Sequence, residues 1–162
     1  MGFNLAILIS GRGSNMLNIV DACSDKTLSS KVKIIISNKK NAPGLAKVKR
    51  KGIKTKIINE NQINKFEKKL SRILLQEKVN LICLAGFMRI LSKEFLSNWN
   101  KKIINVHPSI LPAFRGLNAV KKALEKKVKY TGCTIHYVDK GVDTGEIIDQ
   151  RIVRVLKKDD ET

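Results

Sequence analysis

The amino-acid sequence predicts an α/β protein, a doubly wound and mostly parallel sheet of about seven strands with antiparallel strands at its C-terminal end. Three observations lead there. Short apolar runs of strand length alternate with stretches whose apolar residues recur at intervals of three and four, the patterns of strand and amphipathic helix in turn. Clusters of Gly, Pro and Asn punctuate the alternation. The last two strand-like runs follow one another with only a glycine loop between them, as in a hairpin or a pair of edge strands. Alternation over the first five strands implies right-handed crossovers with helices on both faces.

Residues 5–10 form the first apolar run and end in Gly11-Arg12-Gly13-Ser14-Asn15, after which Met16, Leu17, Ile19, Val20 and Cys23 trace a helix. A second strand, 32–37, leads into a helix from about residue 42, with Pro43 in its first turn and Gly52 past its end. A third strand, 53–58, precedes a helix of roughly four turns marked by Ile63, Phe66, Leu70, Ile73 and Leu74. Residues 79–85 are apolar apart from Asn80, as expected of a parallel strand covered on both faces. A short helical segment, 92–99, leads to the fifth strand, 101–106, and a helix over 118–127 follows a Pro-containing loop. The runs 130–138 and 146–155 complete the sheet.

At 162 residues the length suits one domain with its own core, and a 43% hydrophobic fraction agrees. Cys23, Cys83 and Cys133 show no paired spacing, so neither a disulfide framework nor a zinc site is indicated, and a reducing cytoplasm fits. No leader pattern or transmembrane span is expected. The net charge of +18 invites a nucleic-acid reading. Its composition argues otherwise: 25 Lys stand against 7 Arg, aromatics are only 5%, and Ile and Asn are abundant alongside Lys. Those three residues share A/T-rich codons, and the residue of bidentate phosphate and base contacts is the scarce one. No specific nucleic-acid partner is therefore expected.

In a doubly wound sheet, ligands sit outside the carboxyl ends of the strands, which selects residues 11–15, the segment after Ala85, and Asn105-Val106-His107. Asn105 and His107 stand two apart on a strand, so both point to one face, joining an amide donor to a group that can move protons. Pro108 ends the ladder just beyond them. A strand-end turn holding a satisfied imidazole would use the same five residues. The first glycine turn lacks a dinucleotide fingerprint, because Met16 stands at the third glycine position and no acid ends the second strand. Its N–H groups at a helix start, at Gly13, Ser14 and Asn15, still suit an anion such as a phosphate monoester, unless Ser14 only caps the helix. Asp139-Lys140-Gly141-Val142-Asp143-Thr144-Gly145 supplies carboxylates, too few for a hard-cation site. One of them beside His107 would favour the imidazolium and fix the ring. His136 reads as a strand-face residue.

The motifs Ser10-Gly11-Arg12-Gly13-Ser14-Asn15, Leu84-Ala85-Gly86-Phe87-Met88-Arg89-Ile90-Leu91, Asn105-Val106-His107-Pro108-Ser109 and the loop 139–145 together resemble the folate-dependent phosphoribosylglycinamide formyltransferases. The resemblance runs in order from Leu5 to the end. It implies a Rossmann-like formyltransferase domain over residues 1–162 that stops short of the family's C-terminal helical segment. It implies that 10-formyltetrahydrofolate donates a formyl group to the primary amine of 5-phosphoribosylglycinamide in purine synthesis, without a metal. Asn105, His107 and Asp143 would be catalytic, and Gly13, Ser14 and Asn15 would hold the 5′-phosphate. Met88, Arg89, Ile90 and Leu91, with Asn105, Asp139, Lys140, Gly141, Val142 and Asp143, would hold the folate. The implied enzyme is cytoplasmic, a monomer or homodimer. A methionyl-tRNA formyltransferase shares Asn-x-His-Pro-Ser and fits the basic charge, but the Ser-Gly-x-Gly-Ser-Asn turn and the absence of an RNA-binding domain oppose it. A non-catalytic nucleotide- or nucleic-acid-binding domain is the alternative outside the enzymes.

Overall fold

A computed structural model of the chain describes residues 2–161. These fold as two compact units, one running through Ile103 and one from Ile104. The first contains β1 (Asn4–Ile9), α1 (Ser14–Ser24), β2 (Lys31–Ser37), α2 (Pro43–Lys49), β3 (Thr55–Ile57), α3 (Ile63–Gln76), β4 (Leu81–Leu84) and α4 (Lys93–Asn98). Its strands lie in the order β3-β2-β1-β4, every pair parallel. β1 sits between two neighbours, and Ala6, Ile7, Leu8 and Ile9 are wholly buried, which explains a run with no polar alternation.

The helices cover this sheet through the predicted stripes. Phe66, Leu70 and Leu74, spaced four apart on α3, are fully buried while Leu75 faces water. Pro43 occupies the first turn of α2, where its missing N–H costs nothing. Next to it Gly44 donates from its N–H to the Gly11 carbonyl at 3.0 Å, and a Cβ there would stand 2.9 Å from Ile9 Cδ1. α4 starts at Ser92, whose hydroxyl accepts from the Phe95 N–H and donates to the buried Glu67 carboxylate. The expected third strand, 53–58, is shortened to Thr55–Ile57. It is an edge strand that pairs only with residues 35–37 of β2, and its side chains are mostly exposed.

The second unit holds most of β5 (Lys102–His107), then α5 (Ala119–Glu125), β6 (Tyr130–Tyr137) and β7 (Ile147–Arg154). Here the pairs β5·β6 and β6·β7 are antiparallel, as the sequence predicted for the C-terminal strands. The long loop from β5 to α5 contains a cis Leu111-Pro112 bond and three left-handed residues, Phe114 (φ 55), Gly116 (φ 78) and Asn118 (φ 59).

Candidate active site

In the second unit, pairing decides which side chains meet. β5 sets Asn105 opposite His136 and His107 opposite Thr134 on β6. The β6–β7 connection then returns Asp143, in a left-handed conformation (φ 51), against the same face. The Asp143 carboxylate gathers three donors and lies beside one further ring nitrogen. Oδ2 lies 3.2 Å from His107 Nδ1 and accepts the Gly116 N–H at 2.8 Å. Oδ1 lies 3.4 Å from His136 Nε2 and accepts from the Asn105 amide at 3.3 Å. The imidazoles of His107 and His136 are both buried. Asn105, His107 and Asp143, predicted from sequence as a set, therefore come together around one carboxylate.

Hydrogen bonding fixes the ring orientations. His107 Nε2 rests 2.9 Å from the Phe114 carbonyl, so each of its nitrogens faces an oxygen acceptor and the imidazolium satisfies both. His136 Nδ1 faces the Tyr137 carbonyl at 2.8 Å, while its Nε2 lies 3.2 Å from the Asn105 Nδ2 donor. That arrangement suits a neutral ring that donates from Nδ1 and accepts at Nε2. Sequence reasoning left His136 as a strand-face residue. The signal that finds it is cross-strand register, since only the pairing of 105 with 136 shows that its face is the site. Asp139, the other loop acid, is spent locally: it accepts from the Gly141 N–H at 3.0 Å and from the Thr144 hydroxyl at 2.8 Å. Thr134 braces the loop behind His107, donating to the Ser109 carbonyl at 2.7 Å and accepting from the Leu111 N–H.

In the first unit, the predicted binding loops share one end of the parallel strands. Gly13, left-handed at φ 70, precedes α1, and no side-chain oxygen caps that helix. Ser14 is thus the first helical residue rather than its capping side chain, and Ser14 and Asn15 are exposed at the positive end of the helix dipole. A Cβ on Gly13 would stand 2.8 Å from Met16 Cε and 3.1 Å from the Gly44 Cα. The segment after β4 is pinned on two sides. Ser10 Oγ accepts the Met88 N–H at 2.7 Å and donates to Asn38 Oδ1 at 2.6 Å. The Arg89 guanidinium donates to the Glu60 and Asn61 carbonyls and lies 4.8 Å over the Phe66 ring. Met88 and Ile90 are left 63% and 71% exposed on this fixed backbone, while Leu91 is buried. Among the described residues no group of three or more His, Cys, Asp or Glu could hold a metal.

Comparison with known proteins places these features in company. The family model described as formyl transferase matches residues 3–162. The phosphoribosylglycinamide formyltransferase of Haemophilus influenzae is 37% identical over 158 residues, covering 96% of this chain and 74% of that protein. The human trifunctional purine biosynthetic protein adenosine-3 is 44% identical over 159 residues, which are only 16% of its length. Among solved structures, glycinamide ribonucleotide transformylase 1 from Symbiobacterium toebii matches at a TM-score of 0.91 with 38% identity, covering 96% of this chain and 75% of that one. The phosphoribosylglycinamide formyltransferase from Anaplasma phagocytophilum matches at 0.90 with 41% identity, over 99% and 76%.

Proposed function

Because the chain belongs to the formyl transferase family, we propose that it transfers the formyl group of 10-formyltetrahydrofolate to the primary amine of 5-phosphoribosylglycinamide in purine synthesis. The observation that carries this reading is the one carboxylate of Asp143, half-buried, organising Asn105 and His107. A formyl transfer needs a donor for the oxygen that gains charge and a path for one proton from the attacking amine to the leaving nitrogen. Asn105 supplies N–H groups whose resting partners stand at 3.2 and 3.3 Å, long enough to be surrendered to a developing oxyanion. His107 supplies a second donor, and Asp143 balances the imidazolium and holds its ring. His136 accepts one amide hydrogen of Asn105 and so orients that side chain.

Gly13, Ser14 and Asn15 hold the 5′-phosphate, using a helix start free of acidic residues in its first turn. Met88, Arg89, Ile90 and Leu91, together with Asp139, Lys140, Gly141, Val142 and Asp143, hold the folate. The exposed Met88 and Ile90 on a pinned backbone fit a flat ring. When bound, 10-formyltetrahydrofolate supplies the formyl carbon and the leaving nitrogen. We read residues 1–162 as one formyltransferase domain acting on small molecules, with no specific nucleic-acid partner. No helix among the described residues is long and apolar enough to cross a membrane, and the cytoplasm keeps free thiols such as Cys23, Cys83 and Cys133 reduced.

The test is formyl transfer by the purified chain, followed by absorbance of the folate product, with the glycinamide ribonucleotide as acceptor and methionyl-tRNA as control. Turnover with the ribonucleotide alone is expected. Turnover with the tRNA, or with neither, overturns the reading.

A further inference from the structure

We propose that Glu67 is a positioning residue for the folate-binding segment 88–91, an inference that rests on the reading of that segment given above. Between β4 and α4, residues 85–92 belong to neither helix nor strand, so no repeating backbone ladder fixes their path. Side chains fix it instead. Near its start the Met88 N–H is held by Ser10, and the Phe87 ring stacks on Phe66 with centroids 5.9 Å apart. In the middle Arg89 reaches the Glu60 and Asn61 carbonyls, and at the far end Ser92 meets Glu67. The contacts of Phe87, Arg89 and Ser92 all end on residues 60–67, the approach to α3 and its first turns.

Glu67 lies on the buried side of α3, only 7% exposed. Its two oxygens divide one residue between them: Oε1 accepts the Ser92 N–H at 2.6 Å and Oε2 the Ser92 hydroxyl at 2.6 Å. Both donors are neutral. A carboxylate is costly to bury unless its oxygens are bonded, and this one is bonded to a single point on the neighbouring segment. Holding the backbone and the hydroxyl together fixes where residue 92 sits and how its side chain is turned.

The capping of α4 does not need that carboxylate. Ser92 caps the helix by accepting the Phe95 N–H on its own hydroxyl at 3.0 Å, a bond made within residues 92–95. What Glu67 adds is the place of Ser92 against α3, and with it the end point of residues 88–91. Released there, the exposed Met88 and Ile90 would stand on a backbone held less firmly, and a ligand would have to remove the added freedom on binding.

Steady-state kinetics with each substrate varied in turn reads the role. Glu67→Gln keeps the volume but turns an amide donor toward one of two Ser92 donors, so KM for 10-formyltetrahydrofolate should rise about tenfold. KM for the ribonucleotide and kcat should each move less than about threefold, the mark of lost binding rather than lost chemistry. Ser92→Ala, which removes the hydroxyl from the other side, should raise the same KM about three- to tenfold and serves where Glu67→Gln does not fold. Hydrogen exchange on the ligand-free chain gives a second reading. The Met88 amide, which is bonded to Ser10 and not to Glu67, should exchange about tenfold faster or more in either variant, while the amides of α3 keep their protection. Equal rises in both KM values, or a less stable protein with both KM values unchanged, would overturn the proposal. A wild-type chain without folate turnover counts against the functional reading alone. Met88 exchange then decides the role of Glu67, and unchanged protection overturns it.

Discussion

The carboxylate of Asp143 faces His107, His136, Asn105 and the Gly116 N–H, so its loss should be felt by every proposed catalytic group. Asp143→Asn keeps the shape but turns a donor toward donors, and kcat should fall about 10³-fold or more in a steady-state assay, with circular dichroism unchanged. Asn105→Ala should lower kcat about 10²- to 10³-fold, as for other lost oxyanion donors. Near wild-type turnover would remove Asn105 from that role. Cys83 supplies a prediction independent of function. Burial, with Cys23 adding to it, pushes its thiol from an ordinary 9.0 up to about 12. The folded state then resists ionisation that the unfolded chain allows, so this thiol's contribution is complete below pH 9 and is lost progressively as pH rises toward 12. Native alkylation near pH 8.5 should modify Cys83 last, a pattern mass spectrometry reads directly.

At the level of elements, the parallel strands and α3 were legible because burial on both faces, or on one helical stripe, writes itself into runs and spacings. β3 was overextended, because the stretch Ile-Lys-Thr-Lys-Ile-Ile over 53–58 cannot report that the neighbouring strand offers it three residues. Asn105 and His107 were legible as a pair because a strand's pleat is local. His136 and the Phe114 carbonyl were not, since register across strands and a left-handed turn are tertiary facts. The glycine turn before α1 carries its own prediction. Gly13→Ala forces a side chain into left-handed backbone against Met16 and Gly44. KM for the phosphorylated substrate should rise more than kcat falls, with a stability loss of about 1 kcal/mol or more in denaturant titration.

For the molecule as a whole, the excess of lysine sets its behaviour toward anions. Binding to mixed RNA should be weak and collapse as salt rises from 50 to 200 mM, because dispersed lysines bind polyanions chiefly by releasing counterions. Filter binding across that range checks it. RNA binding that stayed tight at the upper salt would instead mark the charge as a specific interface. Charge was plain in the sequence, whereas the sharing of polar groups between loops was not. Ser10 is the instance with the widest reach: one hydroxyl holds the Met88 amide and Asn38 at the root of the turn that leads to Gly13. Two loops moored to the same atom cannot stiffen separately. Whichever ligand arrives first should settle the mooring for both, leaving the second with less disorder to remove and making the two bind as allies rather than as strangers.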